Sequence, residues 1–160
     1  MAKVTVADAA PLIALARIGQ LDLLPRVLGE VLVPETVAAE CLRPAMPGAE
    51  AIAAAFAQGI LIRHADIARP EAIFPQLDAG ESAAICLAQE VNAAVLMDER
   101  LGRAVARRLG LPVIGSLGVL IAAKRSGLIA SLGATVAQMQ ANGYYMADAL
   151  IREALIRAGE

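Results

Sequence analysis

The sequence predicts a single α/β domain spanning residues 1–160, with a central, mostly parallel five-stranded sheet and helices on both faces. A chain of 160 residues suits one domain. Hydrophobic residues make up 58 % of it, enough to fill an extended core of alanine, leucine, isoleucine and valine. Strand-like runs alternate with helical patterns, as in βα crossover units. The strand-like runs are Val4–Ala7, Val31–Val33, Gly59–Arg63, Ala93–Met97 and Pro112–Ile114.

Helical periodicity fills most of the remaining chain. The first helix follows Pro11, a residue that suits a first helical turn. Pro70 and Pro75 mark His64–Gln76 as an irregular segment. The predicted helices are Leu12–Ile18, Glu35–Leu42, Ala49–Ala57, Ser82–Glu90, Leu101–Leu109, Leu117–Arg125, Leu132–Ala141 and Ala147–Arg157, the last within a C-terminal helix of residues 147–158.

The apolar composition does not indicate a membrane protein. The uncharged stretch Leu109–Ala123 has 15 residues interrupted by glycines and Pro112, whereas a spanning helix needs about 20 apolar residues. The N terminus lacks the charged region, apolar core and cleavage site of a signal peptide. Cys41 and Cys86 lie far apart and indicate neither a disulfide nor a zinc site. We therefore expect a soluble, cytoplasmic protein.

Acidic residues lie close to the predicted strand ends. Asp8 directly follows the first strand, and Asp98 and Glu99 follow the fourth. Glu40 lies late in the helix after the second strand, and Glu81 lies in the first turn of another helix. Open parallel sheets bind ligands outside the carboxyl ends of their strands, so these side chains are expected to share one crevice. Crowded carboxylates need a neutralising cation, and oxygen ligands favour Mg²⁺ or Mn²⁺.

Each acid also has a purely structural interpretation, which is preferable for each one taken singly. Asp8 and Asp98 could cap the helices that follow them. The pair Asp78–Glu81 has the spacing of a capping box, and the pair Glu99–Arg103 has that of an i,i+4 ion pair. Glu40 could be a solvated residue of an amphipathic helix. Only together do the acids predict a metal site.

Several common catalytic arrangements find no support in the sequence. The single histidine, His64, has no nearby serine or cysteine nucleophile motif and is interpreted as a loop residue. No strand is followed by a GxGxxG or P-loop motif. Ala9 and Ala10 follow Asp8, which disfavours a phosphotransferase that forms an aspartyl-phosphate.

The basic residues are unevenly distributed. The net charge is −2, yet 12 of the 14 basic residues are arginine. Arg100, Arg103, Arg107 and Arg108 fall close together in one predicted helix. The guanidinium group can grip phosphate through two hydrogen bonds, so this cluster could face phosphates, and the alternative is an ordinary solvated helix face.

Several motifs in order along the chain resemble the PIN-domain family, in particular a prokaryotic subgroup related to VapC-type toxins. The motifs are "VADAAPLIALARIGQLDLL", "VLVPETVAAEC", "LDAGESAAICLA", "VLMDERLGRAVARRLGLPVIGSLGVL" and "DALIREALIRAGE". The resemblance implies a three-layer α/β/α PIN-like fold around the five-stranded sheet. It also implies a ribonuclease that uses Mg²⁺ or Mn²⁺ in an acidic pocket.

Position by position, the resemblance assigns the catalytic acids. Asp8 is the first, Glu40 the second, Glu81 the third and Asp98 the fourth, with Glu99 as the alternative to Asp98. Among these, the expected metal ligands are Asp8, Glu81, Asp98 and Glu99. The third acid is more often aspartate in VapC-type toxins. Because the Glu81 side chain is one methylene longer, its contact with the metal could pass through water.

Further residues are expected around this pocket. Ser116 resembles a hydroxyl position that lines the pocket, and the alternative is a helix N-cap. Arg100 and Arg103 are expected to hold RNA phosphates beside the acids. The sequence has only two tyrosines and two phenylalanines, which argues against base stacking as the main mode of RNA recognition.

The resemblance also bears on partners. VapC-type proteins imply a homodimer and a small antitoxin that blocks the acidic crevice. Apolar residues near the end of the chain could form the dimer interface, and the alternative is that they fill the core of one subunit. They are Val119, Leu120, Ile121, Leu128, Ile129, Leu132, Leu150, Ile151, Leu155 and Ile156. The competing functions are a catalytically inactive PIN scaffold that binds protein or RNA, and a phosphohydrolase that acts on small molecules.

Overall fold

The computed structural model of the protein describes residues 3–68 and 74–160. Five parallel strands form one sheet in the order β3-β2-β1-β4-β5. The mostly parallel five-stranded sheet is therefore confirmed, and every strand pair in it is parallel. The strands are β1 (Val4–Ala7), β2 (Glu30–Pro34), β3 (Ile62–His64), β4 (Ala94–Leu96) and β5 (Val113–Ile114).

Nine helices lie in the described ranges and cover both faces of the sheet. They are α1 (Ala9–Ala16), α2 (Leu23–Leu28), α3 (Glu35–Cys41), α4 (Ala49–Ala57), α5 (Ala79–Val91), α6 (Arg100–Arg108), α7 (Ser116–Arg125), α8 (Leu132–Ala141) and α9 (Asp148–Ala158). None of the helices in the described residues is long and apolar enough to cross a bilayer.

Side chains of the strands alternate between two separate cores, which establishes the three-layer α/β/α architecture. In β2, Val31 and Val33 pack in one core and Leu32 in the other. The first core joins the sheet to helices such as α1, α4, α7 and α8, and the second joins it to α5 and α6. This period-two alternation is what a strand covered on both faces requires.

Three local features differ from the prediction. The third strand begins at Ile62 rather than Gly59, because Gly59 has a positive φ of 76° and continues the turn that ends α4. His64 was interpreted as a loop residue but is the last residue of β3. Helix α2 was not predicted, since it is only six residues long and contains Pro25. Part of the predicted irregular segment, residues 69–73, lies outside the described residues.

Most of the apolar residues near the end of the chain fill the core of the subunit. Val119, Leu120 and Leu132 are completely buried. Leu150 and Ile156 of α9 are exposed, with 54 % and 75 % of their surface accessible. The structure therefore supports the interpretation that α7 and α8 pack within the monomer, and the homodimer stays a prediction.

Candidate functional site

The candidate site lies where β1 and β4 end, at the centre of the sheet. From β1 the chain adds β2 and β3 on one side and β4 and β5 on the other, so the strand order reverses here. Ala7 pairs with Leu96, and the Asp8 N–H donates to the Leu96 carbonyl at 2.9 Å. Asp8 and Asp98 consequently follow the ends of neighbouring strands, at the position where open α/β sheets bind ligands.

Asp8 is a buried carboxylate without a capping function. It occupies the N-cap position of α1 but makes no side-chain capping hydrogen bond, so the cap interpretation was wrong. Only 6 % of its surface is accessible. Burial is the main cause that raises its pKa to about 6; the Ala9 N–H opposes the shift, and the charges of Asp78, Glu40 and Asp98 add to it. Ionised Asp8 therefore lies in an unfavourable environment.

Glycine at position 80 allows three carboxylates to approach one point. A methyl group on Gly80 would lie 2.9 Å from Glu40 Oε2 and 3.5 Å from both Asp78 Oδ1 and Asp8 Oδ1. These side chains come from α3, from the start of α5 and from the end of β1. Burial raises the pKa of Glu40, and the charge of Asp78 adds to this effect. The crevice thus gathers negative charge from three separate elements.

Glu81 lies beside this group on α5, with 8 % of its surface accessible. Its pKa is raised to about 8, mainly by burial and in addition by its hydrogen bond to Asp78 and by the charges of Asp78, Asp8 and Glu99. Its Oε2 would be 3.2 Å from a methyl group on Gly102, so the side chain lies against the start of α6.

Asp78 is a member of the crevice that the sequence did not assign to it. Its side chain accepts a hydrogen bond from the Glu81 N–H at 2.8 Å, as the capping-box spacing predicted. The same carboxylate also contributes repulsion to Asp8 and Glu40. The prediction that Asp78 caps α5 was correct. Because the cap already accounted for this acid, nothing in the sequence indicated that it also lies in the crevice.

Asp98 is held by three hydrogen bonds. Its Oδ1 accepts from the Ser116 N–H at 2.7 Å, and its Oδ2 accepts from the Ser116 hydroxyl at 2.6 Å and from the Tyr144 hydroxyl. Asp98 was expected as a possible cap of α6, but the N-cap of that helix is Glu99, which makes no side-chain capping bond. The carboxylate instead joins the end of β4 to α7 and to Tyr144.

Ser116 and Tyr144 complete this arrangement. Ser116 is the first residue of α7, after the N-cap Gly115, so the N-cap interpretation of Ser116 was wrong. It is almost fully buried and lies against Asp98. Tyr144 was missed as a site residue, because no local pattern around it indicates a contact 46 positions away in the chain.

Arg100 and Arg103, the basic residues expected beside the acids, differ in exposure. Arg100 is exposed at the start of α6. Arg103 is partly buried and donates to the Met97 carbonyl at 2.8 Å, and no ion pair between Glu99 and Arg103 forms within the described residues. Burial lowers the pKa of Arg103, as does the charge of Arg107, while the charge of Asp98 raises it.

The donors in the crevice suit a hard divalent cation. They are carboxylate oxygens, and among the described residues the acids Asp8, Glu40 and Glu81 form no ion pair, although the charge of Arg43 acts on Glu40. Such donors fit Mg²⁺ or Mn²⁺. Within residues 3–68 and 74–160, no three histidine, cysteine or acidic side chains form a complete ligand set. A bound cation would therefore either bring these carboxylates closer to one another or contact some of them through water molecules.

Comparison with known proteins identifies the family. The model of a family described as a PIN domain matches residues 4–160. The chain belongs to the PIN-domain family. This PIN domain has a nuclease-type fold, as the sequence resemblance implied. No curated protein matches the chain.

One solved structure similar to this PIN domain is a domain of a functionally unknown protein from Methanocaldococcus jannaschii DSM 2661. It has 16 % sequence identity and a TM-score of 0.48, and the match covers 71 % of this chain and 91 % of that one.

Proposed function

We propose that this PIN domain is a metal-dependent ribonuclease that hydrolyses RNA phosphodiester bonds at the acidic crevice, with Mg²⁺ or Mn²⁺ as cofactor. One observation carries the proposal. Carboxylate oxygens of Asp8, Glu40 and Asp78 all lie within 3.5 Å of the point that a methyl group on Gly80 would occupy. Like charges gathered from three elements are costly to the fold, and a divalent cation would offset that cost.

The acids would divide the work. Asp8, Glu40 and Glu81 would hold the cation, with Asp78 beside them. A bound divalent ion would supply an activated water molecule and stabilise charge on the phosphodiester oxygens. Glu81, whose pKa is raised to about 8, holds a proton at neutral pH and would release it when a cation takes its place.

Asp98 differs from the other acids because three donors already hold it. We propose that it orients the end of β4 and contributes charge to Asp8. Glu99, whose charge acts on Glu81, is the alternative fourth acid. Arg100 and Arg103 would bind RNA phosphates beside the acids.

The test is cleavage of total RNA by the purified protein with Mn²⁺, with and without EDTA. Cleavage is expected with Mn²⁺, and EDTA or the Asp8→Asn substitution should abolish it. Asp22→Asn is the matched control, because Asp22 is exposed at the N-cap of α2 and makes no side-chain capping bond. Full activity of Asp8→Asn, or cleavage in EDTA, would refute the assignment. Hydrolysis of a generic phosphate ester but not RNA would indicate a small-molecule phosphohydrolase.

The hydrogen bonds from Ser116 and Tyr144 to Asp98 favour one alternative, because a carboxylate held by three donors is less available to a cation. This alternative is a catalytically inactive PIN scaffold that binds protein or RNA. Titration calorimetry with Mn²⁺ separates the two functions. The ribonuclease predicts binding that Asp8→Asn weakens, whereas the scaffold predicts none.

We also propose, on the resemblance to VapC-type toxins, a homodimer and a small antitoxin that blocks the crevice. Light scattering at micromolar concentration tests the dimer, and a monomer mass would contradict it. The antitoxin proposal requires a co-purifying protein that suppresses the cleavage of RNA.

A further inference from the structure

A groove of about 1060 Å³ begins at Asp98 and runs between α6, α7 and α9. Apolar side chains such as Ile114 and Leu117 contribute to its lining. Four arginines line it as well, two from α6, one from α7 and one from α9, against two acidic residues. The arginines are Arg103, Arg107, Arg125 and Arg157, and the acids are Asp98 and Glu153. The groove is therefore cationic, although the whole protein has a net charge of −2.

The arginines of this groove hydrogen-bond to uncharged groups rather than to carboxylates in the contacts that the structure gives. Arg103 donates to the Met97 carbonyl and Arg125 to the Arg157 carbonyl, and both acceptors are uncharged. Within the described part of the chain, none of the four arginines forms an ion pair. Four guanidinium groups against two carboxylates leave an excess of positive charge in the groove, which is suited to an anionic ligand.

The groove begins at Asp98, which follows the strand next to the one that precedes Asp8. A methyl group on Gly115 would lie 2.6 Å from Arg103 Nη1 and 3.0 Å from Asp98 Oδ1, so guanidinium and carboxylate meet at the start of α7. Asp98 and Asp8 follow the ends of paired strands, because Ala7 pairs with Leu96 and the Asp8 N–H donates to the Leu96 carbonyl. A chain-like ligand in the groove would reach the crevice at this end.

Both tyrosines of the protein line this groove. Tyr144 is partly buried with its hydroxyl on Asp98, and Tyr145 is 88 % exposed. The low number of aromatic residues argued against stacking as a general mode of recognition, but the fold places both tyrosines in one place. An exposed phenol ring next to arginines provides a surface on which a nucleobase can stack.

We propose that this groove binds single-stranded RNA, with Arg107 and Arg157 contacting phosphates and Tyr145 stacking on a base, and that it leads the strand to the acidic crevice. The inference rests on the proposed ribonuclease function and adds the route of the substrate. An acidic protein helix or a second copy of the chain would also meet an apolar floor and arginines. Single-stranded RNA is favoured because the groove combines an excess of guanidinium groups with an exposed tyrosine and begins at Asp98, beside the strand end that carries Asp8.

The test is a binding measurement that does not depend on cleavage. Fluorescence anisotropy of a labelled, unstructured 12-nucleotide RNA is measured with the full chain in EDTA at 50 and 200 mM NaCl. The double variant Arg107→Gln/Arg157→Gln should weaken binding about tenfold at the lower salt, and the slope of log affinity against log salt should fall by about 1.4, or 0.7 for each lost phosphate contact. Tyr145→Ala should weaken binding roughly fivefold or more.

The matched control is Arg108→Gln/Arg152→Gln, which removes two exposed arginines from the same helices, α6 and α9, outside the groove lining. Equal affinity of both double variants for RNA would overturn the proposal. So would a change in oligomer mass in the groove variant without loss of RNA binding, because the groove would then be an interface between copies. If RNA binding depends on the groove but the protein shows no Mn²⁺-dependent cleavage, only the proposed ribonuclease function is refuted. If the groove variants bind and cleave RNA normally, only the proposal that the groove binds RNA is refuted.

Discussion

Replacement of Asp8 by asparagine is expected to stabilise the metal-free protein, although Asp8 lies in the candidate site. The carboxylate is buried, makes no capping hydrogen bond and is repelled by Asp78, Glu40 and Asp98. Asparagine has nearly the same shape and carries no charge. The substitution therefore removes an unfavourable interaction while changing the packing little.

The pKa of Asp8 sets the magnitude and the pH range of this effect. Folding raises the pKa from 3.8 to about 6, so the ionised form destabilises the fold by about 3 kcal/mol at most. The penalty is absent below pH 3.8, grows as the pH rises and is complete above about pH 6. At pH 5 roughly half of it is present.

The assay is thermal unfolding in EDTA at pH 8 and pH 5. A gain of 1–3 kcal/mol corresponds to a rise in Tm of roughly 2–10 °C at pH 8, and about half as much is expected at pH 5. Asp22→Asn, the exposed control, should change stability by less than about 0.5 kcal/mol. Added Mn²⁺ should raise the Tm of the wild type more than that of Asp8→Asn. A lower Tm for Asp8→Asn at pH 8 would refute the reasoning.

Three further substitutions test neighbouring contacts. Tyr144→Phe removes one donor to Asp98 and should lower the free energy of unfolding by about 1–2 kcal/mol in a urea titration; no change would mean that the bond contributes nothing. Gly80→Ala should leave the free energy of unfolding unchanged or raise it by up to about 1 kcal/mol. It should weaken Mn²⁺ binding in calorimetry, because the methyl group would lie 2.9 Å from Glu40 Oε2 and displace that carboxylate. Unaltered Mn²⁺ affinity would contradict this. Gly102→Ala places a methyl group against the buried Met97 sulfur and should cost about 1–2 kcal/mol, whereas a stabilised protein would show that Met97 can move aside.

The fold could be predicted from the sequence because its signals are local. Short β-branched runs separated by helical periodicity are enough to indicate parallel crossover units, and the motifs resembling the PIN family supplied the layer order. Helix α2 was not predicted, because a six-residue helix containing Pro25 has too few turns to give a periodic pattern of apolar residues. Strand β3 was placed too early because Ile60 and Leu61 are apolar, although both still bond back to the end of α4 through Ala55.

The candidate site could be predicted only in part. Residues at strand ends, such as Asp8 and Asp98, are placed by topology, which the sequence indicates. Asp78 and Tyr144 are placed by tertiary contacts, which it does not indicate. The cap proposed for Asp98 failed because a capping pattern omits the donors that the fold brings from elsewhere, here Ser116 and Tyr144. The cap proposed for Asp8 failed although no such donor replaces it, because Asp8 lies buried among other acids.

The two aspartates at the strand ends are expected to respond oppositely to the same substitution. A carboxylate offers about four acceptor positions, and Asp98 uses three of them for donors from Ser116 and Tyr144. In Asp98→Asn, the amide nitrogen would face the two hydroxyls, which would have to accept instead of donate, and charge-assisted hydrogen bonds would become neutral ones, at a cost of about 1–3 kcal/mol. Asp8→Asn, which loses no capping hydrogen bond, should stabilise the protein in the same unfolding assay at pH 8 in EDTA. In the background of Ser116→Ala and Tyr144→Phe, where two donors are gone, Asp98→Asn should cost less. If Asp98→Asn instead stabilised the protein as much as Asp8→Asn, repulsion among the acids would outweigh hydrogen bonding at the end of β4, and Asp98 would belong with the cation-binding group.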